Sequence, residues 1–474
     1  MKGQQYLIEP DHSTIKSVFS SQQAAFQKNP YLSVTERRSN LRKLLSLITD
    51  NKDSIISTIS DDFGYRSPHE TELLEIFPSL QQIKYAISHV KKWMRPDRKP
   101  ASIWFLPAQT KIIKQPLGVI GIIVPWNYPL LLTVGPMVSA LAAGNRVMVK
   151  MSESVPKFGQ LFSKLCSAAF NDDYVAIING GIETGKYVSS LPFDHLLFTG
   201  SKNVGKKVMA AASRNLTPVT LELGGKSPAI IAPDFPIKTA AKRIAVGKCV
   251  NAGQTCIAPD YVLLPNYLVN QFIKEIRNEV KHLYPDGVTS KDFSSIIDRK
   301  HYNKLTQFLK DAKNKGAEVY DIMKNDSQVG LKFGLKLVNK VNNDMIIMKE
   351  EIFGPILPLV TYNNLEEAFD IILQLPRPLA MYYFDYDKTR IRNLLTNQIA
   401  GGVTINDTLL HITQDSLPFG GVGESGMGHY HGEYGFHTFS KRKGVFHQTR
   451  INGVGLMNPP FGKIAETLLN FMTK

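Results

Sequence analysis

The sequence predicts an α/β fold built on a doubly wound parallel sheet. Val119-Ile-Gly-Ile-Ile-Val124 is an unbroken apolar run, as expected for a strand covered on both faces. Strand and helix signals then alternate through residue 222, which is the rhythm of βαβ units. A second alternating stretch fills 225–424, so the chain divides into two α/β units.

In chain order, residues 33–95 read as helices. Ser33-Val-Thr-Glu36 is a capping box, followed at helical spacing by Leu41, Leu44, Leu45 and Ile48. Ser67-Pro68-His69-Glu70 is a second start signal, and the helix it opens ends before Pro96. Ala101–Lys114 reads as extended. After the run at 119–124 come a helix at 130–143, stopped by Gly144-Asn145, and a strand at 146–150. The alternation continues as helix 155–170, strand 175–179, helix 182–190, strand 194–199, helix 203–213 and strand 217–222. Beyond it, Tyr261–Pro265 and Leu379–Phe384 are strands, with helices near 267–284, 297–314 and 387–399. Lys441–Gln448 reads as a further extended segment.

Composition is that of a globular protein: 474 residues, 43% hydrophobic and 20% charged. The net charge of +15 is scattered, without a run of five Lys/Arg or a basic stripe interleaved with aromatics, so nucleic-acid binding is not indicated. The charge reads as a solvated basic surface that also favours capture of an anionic ligand. Three cysteines, Cys166, Cys249 and Cys256, form no C-x-x-C and no disulfide framework. A reducing, cytoplasmic setting is expected. The most apolar segment, 117–134, is interrupted by Pro125, Asn127 and Pro129, and the tail 464–472 is too short to cross a bilayer, so no membrane span is expected.

The chemistry centres on Asn251-Ala-Gly-Gln-Thr-Cys256-Ile-Ala-Pro259. A cysteine among small and polar residues, after a glycine-containing turn, can present a thiolate to backbone N–H groups. Alone it reads more readily as a buried structural residue. Upstream, Leu221-Glu222-Leu223-Gly224-Gly225-Lys226 ends a β-rich run with a carboxylate and two glycines that allow close backbone approach. A thiol with an acid/base group is the minimum for covalent acyl chemistry. Alone, Glu222 reads as an ion-pairing residue at a strand end, and Asn127 as a loop residue bonding its own backbone. Lys150 and Glu153 follow a strand's carboxyl end, where open α/β sheets bind ligands. Phe198-Thr-Gly200-Ser201-Lys-Asn-Val-Gly205 opens a helix after a strand, a place suited to phosphate. Trp126 and Phe419 would wall an apolar pocket or pack in the core. His429, His431 and His437 have no zinc-site spacing, so no metal is expected.

Glu222-Leu-Gly-Gly-Lys226 followed by Gly253-Gln-Thr-Cys256 resembles the signature pair of the aldehyde dehydrogenase superfamily. Pro125-Trp-Asn-Tyr-Pro129 and Glu350-Glu-Ile-Phe-Gly-Pro355 are similar to two more of its motifs. The run from Pro418 to Gly432 resembles the class-three branch, and Phe63–Glu70 and Trp93–Pro96 resemble its bacterial coniferyl-aldehyde subgroup.

The resemblance implies a variant Rossmann sheet for NAD, a second α/β catalytic unit and a small β oligomerisation arm. The implied partition is 1–100 and 117–224 for the dinucleotide, 225–424 for catalysis, and 101–116 with 425–474 for arm and tail. It implies Cys256 as nucleophile, Glu222 as base and Asn127 as oxyanion donor. Cofactor contacts would come from Trp126, Lys150, Glu153, Gly200, Ser201, Gly205, Glu351 and Phe353. NAD is the expected cofactor, with NADP also accommodated; Met151, where relatives carry proline, leaves that preference open. The implied reaction is NAD(P)-dependent oxidation of an apolar, aromatic, coniferyl-type aldehyde to its acid through a thiohemiacetal and a thioester, by a homodimer. The alternatives are a fatty or medium-chain aldehyde dehydrogenase and a non-catalytic structural protein on the same scaffold.

Overall fold

A computed structural model describes residues 9–323 and 330–473. Three sheets organise them. The first has six strands in the order Gly426–Met427, Val219–Glu222, His195–Thr199, Val119–Ile123, Arg146–Lys150, Val175–Ile178. All neighbours run parallel except Gly426–Met427, which returns from late in the chain to pair antiparallel with Leu221 and Glu222. Strand order reverses between Val119–Ile123 and His195–Thr199, which opens a crevice beyond their carboxyl ends. Every residue of those two strands and of Arg146–Lys150 is buried, as the unbroken apolar runs require.

The second sheet has seven strands: Glu318–Asp321, Lys336–Asn339, Ile356–Tyr362, Tyr261–Pro265, Pro228–Ile231, Ala380–Phe384 and Gly402–Ile405. It too is parallel, save the antiparallel pair at Glu318–Asp321. A continuous core runs from one side of the first sheet into the second and includes Leu41, Val134, Ile230, Val262 and Leu357. The first sheet's other side packs on a smaller cluster that includes Ile15, Phe19, Val119 and Leu196.

The helices begin and end where local chemistry dictates. Val34–Asp50 starts at the expected capping box, with Ser33 and Glu36 bonded reciprocally. Leu131–Ala143 stops at Gly144, whose φ of 94° suits glycine. Ser67 caps the next start signal, but that helix is not uniform. It widens into a π turn at Glu72–Ile76 before continuing as Phe77–Trp93. Pro78 has no N–H for the Leu74 carbonyl, so the regular ladder breaks there.

A helix absent from the sequence reading, His12–Lys28, lies against the first sheet; its Gln22 donates to the Val147 and Asp172 carbonyls. The expected extended segments form the third sheet: Gln109–Pro116 between Asp97–Lys99 and Ser440–His447, all antiparallel. Residues 101–108 depart from that expectation, because Ile103–Phe105 turns as a short 3-10 helix. The tail forms the helix Lys463–Met472, and among the described residues no helix is long and apolar enough to cross a membrane.

Candidate active site

The carboxyl edge of the first sheet supplies one side of the candidate site. Glu222 ends a strand and is 2% exposed. Its neighbours are already paired: Gly200 N–H donates to the Glu222 backbone carbonyl at 3.0 Å, and Leu223 N–H to that of Ser425. The carboxylate is not. Neither oxygen has a hydrogen-bond partner among the described residues, and burial alone holds the carboxyl well above its ordinary 4.5. A buried acid with no structural bond and a strongly perturbed pKa is a candidate for a functional site.

Cys256 enters from the second sheet, on the loop before Tyr261–Pro265. Asn251 and Ala252 adopt left-handed backbone at φ 50° and 51°, which turns the chain sharply ahead of the thiol. Gly253 completes the turn at φ 73°, where a Cβ would collide with the Gly354 backbone. Burial and the nearby charges of Glu351 and Glu222 push the Cys256 thiol up to about 12; the backbone N–H groups of Cys256 and Ile257 oppose the shift. The thiol and both carboxylates therefore share one electrostatic neighbourhood. Cys166 and Cys249 are buried core thiols, and Cys249 is pushed up to about 12 by burial.

Asn127 follows the central strand and is 2% exposed. Its side-chain amide donates to the Gln254 carbonyl at 3.1 Å, two residues before Cys256, and one amide hydrogen is left over. Its own backbone carbonyl accepts from Arg66 at 3.0 Å and from Asn251 at 3.1 Å. Next to it, the Tyr128 hydroxyl meets Thr255 Oγ1 at 2.6 Å. These bonds hold the two loops together.

The residues expected around a dinucleotide line the same edge. Lys150 Nζ donates to Glu153 at 3.1 Å. Gly200 and Ser201 lead into the helix Lys202–Ser213, whose first turn has no side-chain cap; Val204 N–H bonds the Ser201 carbonyl, which leaves the Lys202 and Asn203 N–H groups to face an anion. Gly205 packs where a Cβ would strike Leu223. Opposite, the Glu351 carboxylate bonds the Gly225 N–H and lies so close that a Cβ on Gly224 would overlap it. Burial, then Asp260, raises Glu351 to about 8. Phe353 adopts φ 52° and packs its ring 5.4 Å from that of Trp126. An uncapped helix terminus, a lysine beside a carboxylate and glycines that admit a close backbone together fit a bound dinucleotide phosphate and ribose.

Phe419 is buried, stacked on His431 at 5.4 Å and crossed with Tyr430 at 5.9 Å. His437 faces Glu433, and His429 packs against Tyr434. Several participants were missing from the sequence reading. Lys226 Nζ bonds Asp260 at 2.6 Å and the Ile347 and Glu350 carbonyls, tying the strand after Gly225 to the turn that carries Glu351. Burial raises the Tyr430 hydroxyl well above its ordinary value, and the charges of Glu222 and Cys256 add to the rise. Arg66, Glu70 and Glu75 are buried charges behind the two loops. The signal for them was a run of charge inside an apolar helical pattern.

The aldehyde dehydrogenase family profile matches residues 8–445. A probable coniferyl aldehyde dehydrogenase of Pseudomonas aeruginosa is 49% identical over 96% of this chain and 95% of its own length. A solved structure described as the substrate-bound state of Staphylococcus aureus AldH is 37% identical, with a TM-score of 0.92 over 97% of this chain and 99% of that one. A Mycobacterium tuberculosis aldehyde dehydrogenase solved with NAD+ is 26% identical, with a TM-score of 0.84 over 92% and 90%.

Proposed function

The chain belongs to the aldehyde dehydrogenase family, and we propose that it oxidises an apolar aromatic aldehyde of the coniferyl type through Cys256, with Glu222 as base. The supporting observation is the neighbourhood of a loop cysteine with a buried carboxylate that has no other bond to make.

The Cys256 thiol gives up its proton to solvent and its sulfur attacks the carbonyl carbon, forming a C–S bond while the C=O π pair becomes the oxyanion of a tetrahedral intermediate. The spare Asn127 amide hydrogen and the Cys256 backbone N–H receive that charge. A nicotinamide cofactor, when bound, supplies the acceptor for the hydride that leaves this carbon. The product is a thioester on Cys256. Glu222 takes a proton from water, the resulting hydroxide adds to the thioester carbonyl, the C–S bond breaks and the acid departs. Lys150, Glu153, Gly200, Ser201 and Gly205 would hold the adenosine ribose and phosphates, and Trp126, Glu351 and Phe353 the nicotinamide side. NAD is the proposed partner in preference to NADP, because the Glu153 carboxylate beside Lys150 would repel a ribose phosphate.

We also propose a homodimer that uses the third sheet and the 3-10 turn between its first two strands, where Phe446, Ile103 and Leu106 are exposed. Three free thiols fit a reducing compartment. The test is turnover of coniferaldehyde against hexanal with each cofactor. A preference of at least about tenfold in kcat/KM for coniferaldehyde, about 1.4 kcal/mol of transition-state binding, is expected. A preference for hexanal would favour the fatty-aldehyde reading instead.

A further inference from the structure

We propose that Arg66, held by Glu75, is a positioning residue that fixes the Asn127 loop against the Cys256 loop and so aims the oxyanion donor. The inference rests on the reading of Asn127 as that donor. It begins with the π turn at Glu72–Ile76, where the Phe77 N–H reaches back to the Glu72 carbonyl. Pro78 forces the widening, and the widened turn carries Glu75. Its carboxylate meets Arg66 Nη1 at 2.7 Å, with both side chains fully buried.

This pair grips the Asn127–Leu131 segment at two places. The same Arg66 Nη1 donates to the Asn127 carbonyl at 3.0 Å. The other Glu75 oxygen accepts from the Leu130 and Leu131 N–H groups at 2.7 and 3.1 Å. The guanidinium also lies 5.1 Å from the centroid of Phe63 and 4.9 Å from that of Tyr128. Tyr128 in turn reaches Thr255, the neighbour of Cys256. The two guanidinium nitrogens that make no hydrogen bond among the described residues, Nε and Nη2, are compensated in part by those ring faces. A buried ion pair adds little to stability over an apolar pair of the same volume. What it does supply here is a fixed place for one loop, in a layer between scaffold and chemistry.

The test uses the full-length enzyme and a double-mutant cycle. Asn127→Ala should lower kcat about 10²-fold, the usual cost of one oxyanion donor. Arg66→Met should lower kcat about tenfold or more, with KM for NAD unchanged. Alkylation of Cys256 by iodoacetamide, which builds no oxyanion, should proceed within about twofold of the normal rate. Arg66→Lys should not restore kcat, because an ammonium lacks the flat guanidinium that lies over Phe63 and Tyr128 while its Nη1 serves Glu75 and Asn127. The double variant should be no more than about threefold slower than Asn127→Ala alone.

Independent, multiplying losses would overturn the proposal, and so would a normal kcat in Arg66→Met. If Asn127→Ala itself keeps its kcat, the donor reading falls, whatever Arg66 does. Should Arg66→Met fail to fold, Glu75→Gln, nearly isosteric and still an acceptor for Leu130 and Leu131, must show the same non-additivity with Asn127→Ala.

Discussion

Glu222 and Lys248 show how burial sets chemistry one side chain at a time. In the proposed role Glu222 must be ionised to take a proton from water, and burial raises its pKa well above 4.5. The hydrolytic step should therefore quicken as pH rises through that elevated value. Glu222→Gln should flatten this limb and let acyl-enzyme accumulate, seen as an adduct on Cys256 by intact mass; a clean spectrum at unchanged rate would refute its role. Lys248 is the opposite case. It is fully buried just before the cysteine loop, with no hydrogen-bond partner for Nζ among the described residues. Burial pushes it down from 10.5 to about 8. Between those values the unfolded chain binds the extra proton, so stability rises with pH. Below 8 the whole penalty for burying a cation is present. Lys248→Met should therefore stabilise the protein at pH 7 by about 1–3 kcal/mol, read as a higher Tm. The gain should shrink as pH climbs from 8 toward 10.5. A Tm gain that does not change with pH would rule out the titration as its source.

At the scale of elements, legibility followed locality. The capping box at Ser33–Glu36 was readable because four adjacent residues specify it, and Ser33→Ala should cost about 1 kcal/mol in a urea melt. No change in midpoint would show that tertiary packing alone sets that helix start. The parallel strands were readable because burial on both faces leaves a plain apolar run. The helix His12–Lys28 escaped notice because it buries only Ile15, Phe19 and Gln22, too thin an apolar stripe to announce itself. The π turn at Glu72–Ile76 was hidden as well, since Pro78 looked like any residue inside the run from 33 to 95. Of the candidate site, Cys256, Glu222 and Asn127 could be named from short motifs. Lys226 with Asp260, and Arg66 with Glu75, could not, because each pairing depends on how distant segments meet.

Across the whole molecule, a single core joins both large sheets, and the candidate site is stitched by Asn127–Gln254 and Tyr128–Thr255. The two halves should therefore melt together. One calorimetric transition is expected, shifted upward by NAD as mass action requires, by about 2.7 kcal/mol when the cofactor stands at 100 times its Kd. Two transitions, only one of them moved by NAD, would contradict that coupling. The bare carboxylate at the end of Val219–Glu222 has a further consequence for breeding the protein in the laboratory. A buried acid without a partner weakens the resting fold, and an apolar or amide replacement would relieve it. Libraries screened only for survival on heating should accumulate substitutions at position 222, yielding hardy proteins that capture one aldehyde and never release it.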